Sequence, residues 1–88
     1  MNLRVIKKDI DYVIDELIGD SLLTLTFGKD IDPAYVEGII NEALELRDEL
    51  YERVNHPDKS KIKAHYNQIT EDLYEKTDEL FNKLSKRP

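Results

Sequence analysis

Residues 31–54, IDPAYVEGIINEALELRDELYERV, decide the fold. Asp32 has the side chain of a helix N-cap, and Pro33 follows at the first helical position, where its missing N–H costs nothing. Ile31, just outside, is placed to staple onto Val36. Val36, Ile39, Ala43, Leu46 and Leu50 then recur every three or four residues and form a continuous helical seam. Ile40, Leu44, Tyr51 and Val54 widen that seam enough to pack against two neighbours, and the helix should end near Asn55, before Pro57.

Working outward toward the N-terminus, Leu3, Ile6, Ile10, Val13 and Leu17 share one stripe of a first helix. Gly19 is placed to end that helix, with Asp20 or Ser21 capping a new turn. In residues 22–27, Leu23, Leu25 and Phe27 alternate with Thr24 and Thr26 as in a half-buried strand. No second strand is available to pair with it, so a short helix is expected. Toward the C-terminus, a last helix should begin around Asp58 to Ser60, with Ile62, Tyr66, Ile69, Leu73, Leu80 and Leu84 on its seam and Tyr74 and Phe81 flanking it. Asp72 with Lys76 and Glu79 with Lys83 are acid-before-base pairs one turn apart. The expected architecture is all-α: one domain spanning residues 1–88, an antiparallel bundle or array of three long helices plus one short helical segment.

Composition narrows the chemistry. The 88 residues include no cysteine, which excludes disulfides, thiolate zinc sites and thiol nucleophiles. The net charge of −6 disfavours phosphate backbones as partners, and the basic runs Lys59, Lys61, Lys63 and Lys83, Lys86, Arg87 are short. No run approaches the ~20 apolar residues that span a bilayer. Charges among the first twenty residues break up any signal-peptide core, so a cytoplasmic location is expected.

Between the central and last helices stands His56-Pro57-Asp58, followed by Lys59. This string resembles the signature of J-domain co-chaperones, in which a His-Pro-Asp loop between two helices docks on an Hsp70 ATPase. The resemblance implies that His56, Pro57 and Asp58 would form the contact that stimulates ATP hydrolysis by the partner. The flanking sequence departs from that family. Residues 32–54 hold seven acids against Arg47 and Arg53, where the family has a basic helix, and Asn55 stands where it has a tyrosine. A turn accounts for the same residues: Pro57 stops one helix and Asp58 caps the next.

Other constellations are incomplete. Neither His56 nor His65 has a glutamate three residues before it, as a di-iron bundle needs, and Glu52 with His56 is a pair rather than a site. Glu71, Asp72, Glu75, Asp78 and Glu79 lack calcium-loop spacing and read as a solvated face. Gly19, Gly28 and Gly38 are isolated, so no phosphate loop forms, and Ser21, Ser60 and Ser85 have no visible base. The five tyrosines, Tyr12, Tyr35, Tyr51, Tyr66 and Tyr74, lie on or beside apolar seams as half-buried packing residues. No metal, cofactor or catalytic residue is assigned. The helix pattern with its Asp32-Pro33 start resembles small uncharacterised all-helical proteins of Bacteroidetes-type bacteria, a resemblance that implies no activity.

What emerges is a non-catalytic cytoplasmic interaction or structural module, with the J-domain-like co-chaperone as the alternative. Lengths also suggest a homodimer. At ~1.5 Å per residue the last helix spans about 39 Å and a first helix ending at Gly19 only about 24 Å. Leu80, Phe81 and Leu84 would then need cover from residues 22–27 of the same chain or from a second copy, and they are the candidate self-association residues.

Overall fold

The computed structural model describes residues 3–86, which form three helices and no strand. Helix α1 runs Leu3–Phe27, α2 runs Pro33–Asn55, and α3 runs Ile62–Ser85 after a 3-10 turn at Lys59–Lys61. Consecutive helices lie antiparallel, as cross-helix bonds show: early α1 meets late α2 at Asp11 and Arg47, and early α2 meets late α3 at Tyr35 and Lys83. The elongated body measures 50 × 19 × 15 Å.

The start of α2 follows its chemistry. The Asp32 carboxylate accepts from the Ala34 N–H at 3.0 Å, Pro33 opens the helix, and Ile31 packs partly buried against the core. Val36, Ile39, Ala43, Leu46, Leu50 and Val54 are all buried. The helix ends at Asn55 as its proline predicts.

The first helix departs from expectation at Gly19. No break occurs there: α1 continues for 25 residues, and the separate fourth segment does not exist. Residues 22–27 are indeed helical, but as the last turns of α1. The phase of the buried face explains this. Ile6, Ile10, Ile14, Leu17 and Ser21 form an unbroken inward line, so stopping at Gly19 would forfeit packing over the end of the bundle. Against that gain, an interior glycine costs only about 1 kcal/mol. The hydroxyls of Ser21, Thr24 and Thr26 each donate to the carbonyl four residues back, at 2.8, 2.9 and 2.9 Å, which accommodates the strand-like Thr alternation within a helix. Gly28 is the residue at the true end. A Cβ there would lie 2.5 Å from both the Ile31 side chain and the Thr24 carbonyl, so only glycine fits. Asp30 then takes a positive φ of 54°, a conformation that Asp tolerates in turns.

Register corrects three further details. Ile14 is buried where Leu3 was expected, Leu3 being exposed and Val13 half-buried. In α3 the gap between Leu73 and Leu80 is filled by buried Thr77, whose hydroxyl donates to the Leu73 carbonyl at 2.6 Å. Ile62, at the first position of α3, is exposed, and the seam begins at Tyr66. Among the described residues no buried side-chain polar atom lacks a hydrogen-bond partner.

Candidate functional site

Three places gather chemistry-bearing side chains. The first is the His56-Pro57-Asp58 loop. The His56 backbone N–H donates to the Glu52 carbonyl at 3.1 Å and closes α2. Its imidazole, 72% exposed, lies 3.5 Å from the Glu52 carboxylate. Asp58 caps the 3-10 turn, accepting from the Ser60 hydroxyl at 2.7 Å and the Ser60 N–H at 3.1 Å. Those two bonds hold its carboxyl below the usual carboxylate range. Asp58 is therefore engaged in local structure, while His56 faces water.

The second is a set of polar ties along α2. Tyr51 donates its hydroxyl to the Asp11 carboxylate, Arg47 Nε sits 3.3 Å from the same carboxylate, and the guanidinium carbon lies 5.4 Å from the Tyr51 ring centroid. Burial, then the bond to Asp11, pushes the Tyr51 phenol up, so it stays protonated at neutral pH. The bond to Tyr51 and the nearby Asp11 carboxylate raise Arg47. At the other end, Arg53 pairs with Asp72 at 2.8 Å, and Gln68 donates to Asp72 at 3.0 Å. Burial disfavours the Asp72 carboxylate, but the bonds from Gln68 and Arg53 outweigh it and leave its pKa lowered. His65 Nε2 donates to the Arg53 carbonyl at 2.6 Å with its ring edge-on to Tyr66. Asp72 and Lys83 thus pair across helices, with Arg53 and, at 3.4 Å, with Glu42, rather than with Lys76 and Glu79 one turn away on α3. These groups tie helices together. Among the described residues, no cluster of three or more His, Asp or Glu is arranged to hold a metal ion.

The third place is the surface between α1 and α3. Tyr12 and Tyr74 were expected half-buried but stand 71% and 52% exposed, flanking an open groove of about 300 Å³. Half-buried Val13 and Phe81 are its apolar floor, with buried Thr77 beside them, and exposed Glu16 and Asp78 line its rim. Farther along α1, Leu22, Leu23 and Phe27 are also exposed. The sequence carried a signal for this face. Once α1 runs straight through Gly19, Val5, Tyr12 and Leu23 fall on one outward line, since spacings of seven and eleven residues return to nearly the same side of a helix. A second groove, between α2 and α3, has Glu42, Glu45, Glu49 and Glu79 beside Lys76 and Lys83, over Leu46 and Leu80.

The three candidate self-association residues lie elsewhere than at a bare surface. Leu80 and Leu84 are each 6% exposed within the protomer's own core, and Phe81 is half-buried in the α1/α3 groove. The length mismatch that singled them out is absent. With α1 reaching Phe27, the three helices have 25, 23 and 24 residues. Among the described residues no helix is long and apolar enough to cross a membrane. No protein-family model, curated protein or solved structure matches the chain.

Proposed function

We propose that the chain is a non-catalytic cytoplasmic module that binds another protein through its outer helical surface. One observation carries this reading. All three helices contribute to an internally packed core, yet Tyr12, Leu22, Leu23, Phe27 and Tyr74 remain exposed, and large apolar groups left exposed on a small domain favour an interface. Replacing Leu23 and Phe27 by serine should leave the circular-dichroism spectrum unchanged and abolish retention of a specific partner from native lysate. Equal retention by the variant, or turnover in a hydrolase, phosphatase or nucleotide screen, would refute the reading. Light scattering separates a second copy from a different partner, since the monomer has a mass of 10.3 kDa.

A co-chaperone role through His56-Pro57-Asp58 is the alternative, and the exposure of His56 is the observation that favours it. The acidic α2 beside the loop opposes it, because like charge would slow an encounter with an acidic partner surface. Stimulation of an Hsp70-type ATPase that disappears with His56→Gln would decide for it.

A further inference from the structure

We infer that the α1/α3 groove is a docking site for a basic amphipathic helix of a different protein. The inference rests on the interaction reading above and names the partner's chemistry.

Shape and charge argue together. An exposed tyrosine stands on each helix, Tyr12 and Tyr74, and an apolar floor between them matches the way an amphipathic helix lays its apolar face into a groove. The two rim carboxylates, Glu16 and Asp78, have no lysine or arginine among the groove's lining residues. Asp9 and Asp20, seven residues before Glu16 and four after it, extend the acidic line along the same side of α1, and both are exposed. The ion pairs of the described residues use other carboxylates: Asp11, Glu42, Glu52 and Asp72. In the α2/α3 groove, by contrast, Lys76 and Lys83 sit among the glutamates, and its leucines are buried. Of these two grooves, the α1/α3 one combines accessible aromatic surface with acidic lining residues and no basic one. A second copy of this chain is disfavoured as occupant, since a two-fold contact through this face would set Glu16 and Asp78 against the same acidic groups.

The test uses a synthetic helical peptide with leucines on one face and lysines on the other, beside a version with each lysine replaced by glutamate. Fluorescence anisotropy and NMR shift mapping on the full chain provide the readouts. The lysine peptide should bind and shift Tyr12, Val13, Tyr74 and Phe81. Its affinity should fall with added salt and by about tenfold or more in a Tyr12→Ala/Tyr74→Ala double variant. Because both tyrosines are exposed, that variant should keep its helical spectrum. Equal binding of the glutamate peptide, shifts confined to the α2/α3 groove, or unchanged affinity in the double variant would overturn the docking site while leaving the interaction reading intact. Concentration-dependent self-association mapped to Tyr12 and Tyr74 would overturn it in favour of a second copy. No binding of the peptide, together with loss of no partner in the Leu23/Phe27 serine variant, would remove both.

Discussion

Helices α1 and α2 are nearly equal in length but use their side chains differently. α2 has a single exposed large apolar residue, Leu44, whereas α1 has Leu3, Val5, Tyr12, Leu22, Leu23 and Phe27. Polar groups of α2 also reach to its neighbours: Arg47 and Tyr51 bond to α1, and Arg53, Glu42 and Tyr35 bond to α3. α2 is therefore the helix against which both others are fixed. α1 buries one line of residues and displays another. The displayed line lies outside the buried core.

Substitutions on the two helices should separate these roles. Leu50→Ala, which removes a fully buried side chain of α2, should lower stability by about 2 to 5 kcal/mol in chemical denaturation. Leu23→Ala on the displayed line of α1 should change it by no more than about 0.5 kcal/mol. Comparable losses at both positions would mean that the outer line of α1 is structural. Next in size is Gly19→Ala. An added Cβ meets nothing within 4 Å and the backbone is helical, so melting should show a gain of about 0.5 to 1 kcal/mol. A loss would mean that α1 breaks there, and the alignment of Tyr12 with Leu23 would fail with it.

A similarly small effect concerns the polar ties of α2. Asp72→Asn weakens the pair with Arg53 and should cost about 0.2 to 1 kcal/mol at neutral pH. The Asp72 pKa is depressed in the folded state, so its contribution is present above the unfolded value of roughly 3.9 and disappears as pH falls through the folded value. Wild-type and variant stabilities should converge in acid. A difference that persisted at low pH would assign the effect to packing rather than charge.

The same contrast explains what was legible beforehand. Asp32 and Pro33 act within one turn, so the start of α2 could be read locally, and its seam followed because every apolar step keeps one phase. Gly19 misled because glycine permits a helix end without requiring one. The exposure of Tyr12 and Tyr74 was hidden because an apolar or aromatic residue beside a seam packs only if a neighbouring helix covers that side.

By itself, then, the sequence determined the helical class, the α2 boundaries, most of the buried residues of α2 and α3, and the lack of cysteine chemistry, all of which follow from residue type and short-range spacing. Tertiary structure decided where α1 ends, placed Ser21 and Thr77 inside, and joined Asp11 to Tyr51 and Asp72 to Arg53. Each of those outcomes depends on which side of one helix faces another. A single helix fixes the angular spacing of its side chains, but only its packed neighbours determine which angles are buried.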